Sequence, residues 1–337
     1  MGGLFSWLIV PPIAAWLTIP NFTEIISQAG GSTLGFAFLF GLLWGIGGLT
    51  YGLGVRYLGV SLGSSIILGL SMVFGALMPA IYYQFTPADG KDTIGLLTGT
   101  SWGQTVLAGL LVCIIGIVMC GKAGVMKEKE LKGSALANSD PHAVGNADTE
   151  AHLSGKDEYK FGLGIAVAIV SGILSACFNF GIEAAKPMAN VANELWKAAN
   201  PNQGEFLFQN NVSYIIILWG GLTTNLIWCL ILNARNKTFK DYTNNKTPIL
   251  SNIIFCALAG TTWFLQFFFY GMGESKMGNG PSSWILHMAF IILIANVWGL
   301  ILKEWKGVSK KTMFTVIAGI VVILLSVLLV GLGNSLK

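Results

Sequence analysis

Nine apolar runs, at 3–19, 33–54, 61–83, 103–121, 161–185, 212–233, 250–272, 282–302 and 313–333, decide what this chain can become. A membrane-spanning helix needs about 20 predominantly apolar residues to cross the hydrocarbon core, and each run has roughly that length. Only 11% of the 337 residues are charged and 53% are hydrophobic, against roughly 25% charged in soluble domains. That is too little charge to cover a soluble globule. In lipid every backbone N–H and C=O must find its partner within the protein, so a span is a helix or part of a closed barrel. Barrel strands read as alternating segments of about ten residues, unlike these continuous runs. The sequence therefore predicts an all-α, polytopic membrane helical bundle of nine spans, with the lipid bilayer as its surroundings. The net charge of +4 is no pointer to nucleic acid, and none is expected as a partner. The first run lacks a basic leader and holds Pro11 and Pro12, so it reads as a span rather than a signal peptide.

Sorting the basic residues by loop orients the bundle. Fifteen of the 20 Lys and Arg fall on one side, at Arg56 and within 122–160, 235–246 and 303–311. Positively charged loops stay in the cytoplasm, which places Met1 inside and Lys337 outside. The chain divides into 1–121 (four spans), a cytoplasmic linker at 122–160 carrying His142 and His152, and 161–337 (five spans). The linker is rich in small and polar residues without periodicity.

The two halves carry a repeat. WGIGGLTYGLGVRYLGVSLGSSI (44–66) and WFLQFFFYGMGESKMGNGPSSWI (263–285) align at one fixed offset, pairing Trp44 with Trp263, Tyr51 with Tyr270, and Gly52, Gly54 and Gly59 with Gly271, Gly273 and Gly278. The copies lie five spans apart, so they cross the membrane in opposite directions. Inverted repeats of this kind build secondary transporters, with the substrate near the midplane. Four spans before the linker against five after it predict a ten-span arrangement that lacks its first span here.

Ionisable and polar groups within spans are the candidates for function. Ser171, Ser175, Asn179 and Glu183 recur every fourth residue and make one polar stripe, with Lys186 just beyond. The stripe either lines a cavity or bonds helix to helix. Glu183 and Lys186 are candidates for proton coupling or an exposed pair at the outer end. His287, with Ser283 one turn before it, is a candidate for proton relay or substrate contact, or else an interhelical donor. Trp263, Gln266 and Tyr270 share a helical face and offer aromatic surface beside an amide, the combination that suits a sugar. Trp44 and Tyr51 either form the opposite wall or anchor the chain at the lipid interface. No HExxH, GxSxG or P-loop pattern occurs, so no catalytic residue, metal site or enzyme activity is expected. The five cysteines all fall within runs and read as small buried hydrophobes.

With these residues assembled, the chain resembles the L-rhamnose–proton symporter family of the drug/metabolite transporter superfamily. The segments carrying the resemblance are FGLLWGIGGLTYGLGVRYLGVSLGSSI, SGILSACFNFGIEAAKPM, WFLQFFFYGMG, SSWILHMAF and GLILKEWKG. It implies ten spans as two inverted five-helix repeats, and import of L-rhamnose or a related deoxy sugar across the inner membrane with the proton as coupling ion and no cofactor. Two departures stand out: the family's first span is absent, and Glu183 occupies a position where a small neutral polar residue is expected. An exporter of hydrophobic or cationic compounds and a non-transporting membrane sensor are the competing readings.

Overall fold

The structure is a computed structural model and describes residues 1–137, 160–243 and 248–337. The rest of the linker, with His142 and His152, lies outside the described residues. A short π-helical segment, Leu4–Ile9, leads into α1 (Val10–Thr18), followed by α2 (Phe22–Gln28), α3 (Gly31–Leu58), α4 (Val60–Phe85), α5 (Ile94–Gly99), α6 (Ser101–Ala137), α7 (Phe161–Ala199), α8 (Asn211–Asn236), α9 (Ile249–Met277), α10 (Gly280–Ile301) and α11 (Lys310–Ser335). No strand occurs among the described residues.

Eight of these helices are long and apolar enough to cross a membrane, or up to nine if the bent pair Leu4–Thr18 and Phe22–Gln28 counts as one span. The all-helical polytopic expectation holds. Large apolar side chains face outward along the helices, among them Phe255 and Phe269 on α9 and Phe314 and Leu328 on α11, as lipid contact requires. The cysteines divide: Cys113, Cys120 and Cys177 are buried, whereas Cys229 is exposed and Cys256 half-buried. Hydropathy places a residue in a span but does not say which face of the helix it occupies.

Proline accounts for the irregular start. Pro11 and Pro12 stand at the beginning of α1, and the Val10 N–H bonds back to the Phe5 carbonyl, a wider register than the α-helix uses. A proline ring clashes with the carbonyl four residues before it, and a π turn relieves that crowding. Pro20 pushes Ile19 to an extended conformation (φ −120, ψ 110) and Asn21 is left-handed (φ 55), giving a 108° bend. At the other end of the first half, α6 continues well into the expected linker. KEKELKGSALA is rich in strong helix formers, so the helix outlasts its apolar run.

The chain forms two compact units, Met1–Ile46 with Leu174–Ser283, and Gly47–Ile173 with Trp284–Lys337. Each draws on sequence from both sides of the linker. In the first unit α8 is the central helix, with Val212 to Leu218 buried without interruption. Its Gly220 and Gly221 meet α3 at Gly41 and Gly45 so closely that a Cβ on Gly41 would lie 2.1 Å from the Ile217 carbonyl oxygen. Small residues let helix backbones approach where lipid gives no hydrophobic drive to associate. In the second unit α6 and α11 pack antiparallel along a similar seam: Gly109 against Val330, Gly116 against Ile323, Gly319 against Cys120 and Gly333 against Val106. The repeat leaves a mark in the backbone. Gly59, before α4, and its partner Gly278, after α9, both have positive φ (84 and 61), which side-chain-bearing residues rarely adopt.

Candidate functional site

The first unit gathers most of the chemistry-bearing side chains. Trp44 on α3 and Trp263 on α9, the pair related by the repeat, have ring centroids 6.0 Å apart. Trp7 on the π segment stands edge-on to both, at 5.3 and 5.7 Å. It can do so because Gly260 on α9 leaves room: a Cβ there would lie 2.5 Å from the Gly2 carbonyl oxygen. Phe178 on α7 meets Trp44 at 5.0 Å and stacks on Phe267 at 4.1 Å. Tilted and edge-on pairs at these distances are the favoured aromatic geometries. The Trp7 Nε1–H is buried without a hydrogen-bond partner among the described residues. Gln266, one turn along α9 from Trp263, is half-buried. The cluster thus combines flat apolar faces, an indole donor and an amide.

A second cluster lies on the same helix. Glu274 on α9 is 5% exposed and pairs with Lys186 on α7, Nζ to Oε1 at 2.5 Å. Asn210, the residue that caps α8, donates from Nδ2 to Glu274 Oε2 at 2.7 Å, to the Gly271 carbonyl at 3.2 Å and to Ser275 Oγ at 3.2 Å. The buried Asn210 Oδ1 and the Tyr214 hydroxyl have no hydrogen-bond partner among the described residues. Gly271 makes the close approach possible, since a Cβ there would meet the Tyr214 hydroxyl at 2.8 Å. Unpaired buried polar groups cost free energy, so two in one cluster mark a place where the chain is not optimised for packing alone. In the loop after α7, Glu205 accepts from Lys197 and Asn193. The Lys197 hydrogen bond holds its carboxyl below the usual carboxylate range, with a smaller contribution from Asn193.

Of the expected site residues, Trp44, Trp263, Gln266, Tyr270, Asn179, Glu183 and Lys186 all belong to the first unit. Tyr270 and Asn179 are buried. Lys186, expected beside Glu183, pairs with Glu274, and the Glu183 carboxylate sits by Gly280 at the first turn of α10. Tyr51 and His287 belong to the second unit. There the Tyr51 hydroxyl bonds Ser64 Oγ at 2.7 Å, and half-buried His287 lies 5.7 Å from the Trp284 ring. Trp284 in turn donates to the Ser71 carbonyl at 3.0 Å. The polar stripe on α7 is shared: Ser171 donates to the Gly47 carbonyl at 2.9 Å within the second unit, a helix-to-helix bond.

Sequence reading missed Trp7, Glu274 and Asn210. Trp7 has no repeat partner to draw attention to it. Glu274 follows Tyr270 by four residues, on the same helical face, but the apolar run ends at 272 whereas the helix continues to Met277. Following helical spacing past the end of the run would have found it.

The fold is that of a polytopic membrane helical bundle, and the family that it matches is one of transporters rather than enzymes. The chain belongs to the L-rhamnose-proton symport protein (RhaT) family, whose model matches residues 1–139 and 144–336. It is 36% identical over 340 aligned positions to the L-rhamnose-proton symporter of Yersinia pestis (strain Pestoides F), covering 99% of this chain and 88% of that protein. The L-rhamnose-proton symporter of Pectobacterium atrosepticum is 35% identical with the same coverage. No solved structure matches the chain.

Proposed function

We propose that this protein imports L-rhamnose or a related deoxy sugar together with a proton across the bacterial inner (plasma) membrane. The observation that carries the reading is similarity over 99% of the chain to proteins named L-rhamnose-proton symporters. The geometry of the first unit is what a sugar would need. Trp263 and Trp44 present the aromatic faces, Gln266 supplies a donor and an acceptor, and Tyr270 and Asn179 extend the polar lining. The reading does not rest on Tyr51 or His287. Neither an exporter nor a sensor is favoured, because the relatives bear the name of symporters. The coupling ion is the proton.

Uptake of radiolabelled L-rhamnose into vesicles containing the purified protein tests the proposal. An inward proton gradient should drive accumulation above the outside concentration, and an uncoupler should discharge it. Equal uptake with and without the gradient would rule out symport. Within the site, Gln266→Ala removes hydrogen bonds worth about 1–3 kcal/mol. The concentration of sugar for half-maximal uptake should therefore rise about tenfold or more; an unchanged value would remove Gln266 from the site.

A further inference from the structure

Building on the symport reading above, we propose that Glu274 is the carboxylate that binds the transported proton, with Lys186 as its counter-ion and Asn210 as its amide partner. Symport needs a group that exchanges its proton during the transport cycle, in surroundings that can hold it both charged and neutral. Glu274 has both kinds of surroundings. Charged, it receives Lys186 on one oxygen and the Asn210 amide on the other. Neutral, its new O–H needs an acceptor, and the buried Asn210 Oδ1, which has no partner among the described residues in the charged arrangement, becomes one if the amide turns over. The Asn210 amide can thus serve Glu274 in either state, as donor to the carboxylate or as acceptor from the acid.

The two charges differ in exposure. The Lys186 side chain is 20% exposed against 5% for Glu274. When Glu274 takes a proton from water, its O–H bond forms and the ion pair is lost. Lys186 stays charged and has an exposed edge through which water can solvate it. A lone buried charge would be costly, so this asymmetry lets the pair open without stranding the ammonium.

The other titratable groups around the pair are Tyr214 from α8, Tyr270 on α9 itself, Glu183 on α7 and Glu205 in the loop after α7. Tyr214 and Tyr270 are within electrostatic range of Glu274, Tyr270 also of Glu183, and Glu205 of Lys186. Glu274 combines a charged partner, an amide and an acceptor without a donor among the described residues within one buried cluster.

The test compares wild type, Glu274→Gln, and the double variant Glu274→Gln with Lys186→Gln in proteoliposomes. Both variants should still exchange labelled L-rhamnose between equal concentrations on the two sides. Neither should concentrate it: the accumulation ratio should fall to one. A merely structural ion pair gives a different result, since removing both charges would restore accumulation. The double variant leaves no unpaired lysine and carries the same test if the single variant is not recovered folded. Infrared difference spectra on acidification give a readout independent of the sugar. The carboxylic-acid C=O band that appears in wild type should lose one component in Glu274→Gln. Accumulation by either variant, or an unchanged acid band, overturns the proposal. Wild type that exchanges no L-rhamnose overturns the substrate reading instead, and the infrared comparison then decides whether Glu274 takes up the proton.

Discussion

Gly41→Ala should lower the stability of the fold sharply. A Cβ at this position would lie 2.1 Å from the carbonyl oxygen of Ile217, 2.9 Å from its carbon and 3.2 Å from the Gly220 Cα. All three are backbone atoms of α8, so no side chain can swing aside. The helices would have to separate along the contact that seats Trp44 beside Gly221. Overpacking commonly costs 1–3 kcal/mol. A clash of backbone against methyl belongs at the top of that range, about 3 kcal/mol, out of a typical total of 5–15 kcal/mol. Gly35→Ala on the same helix is the control, because nothing among the described residues lies within 4 Å of its Cβ position. Exchanging a helical glycine for alanine there should stabilise by about 0.5–1 kcal/mol. Size-exclusion chromatography of the detergent-solubilised proteins after stepwise heating will separate the two. Equal midpoints for Gly41→Ala and Gly35→Ala would refute the close contact.

Trp263→Ala should weaken sugar binding more than any other single truncation in the first unit. Trp263 touches Trp7, Trp44 and Phe267 at 5.7, 6.0 and 5.2 Å. Its removal takes away one aromatic face and unseats two others. Truncating a tryptophan anchor in a binding surface costs about 2 kcal/mol or more, which is roughly a thirtyfold loss of affinity. Trp263→Phe keeps an aromatic face and should recover most of it. Titration calorimetry with L-rhamnose on the folded, monodisperse fraction separates this effect from lost stability. If Trp263→Ala binds L-rhamnose as tightly as wild type, the tryptophans are packing only and the substrate lies elsewhere.

These two outcomes differ in how far they could be foreseen. Trp44, Trp263 and Gln266 were legible as site candidates because the repeat pairs the tryptophans and helical spacing places the amide on the same face. The ion pair was not. Lys186 has an acidic neighbour three residues away in Glu183, and one-dimensional spacing favours that pairing. Glu274 lies 88 positions along the chain from Lys186, and only the packing of α9 against α7 brings it near. Likewise Gly41 and Gly35 look alike in the sequence, and what separates them is α8 lying against one and nothing against the other.

What the sequence determined by itself was everything set by transfer into lipid and by local backbone sterics. The apolar runs dictated the long helices, because a backbone in hydrocarbon must satisfy its own hydrogen bonds. The prolines at 11, 12 and 20 dictated where the first segment widens and bends. The repeat offset pairs Gly59 with Gly278, two of the four glycines of positive φ among the described residues. Tertiary structure alone decided which face of each helix meets protein and which meets lipid, and which charges pair. In a membrane, helix association rests on close packing and interhelical hydrogen bonds rather than on hydrophobic burial. A hydropathy pattern carries little record of that choice, and only the folded bundle makes it.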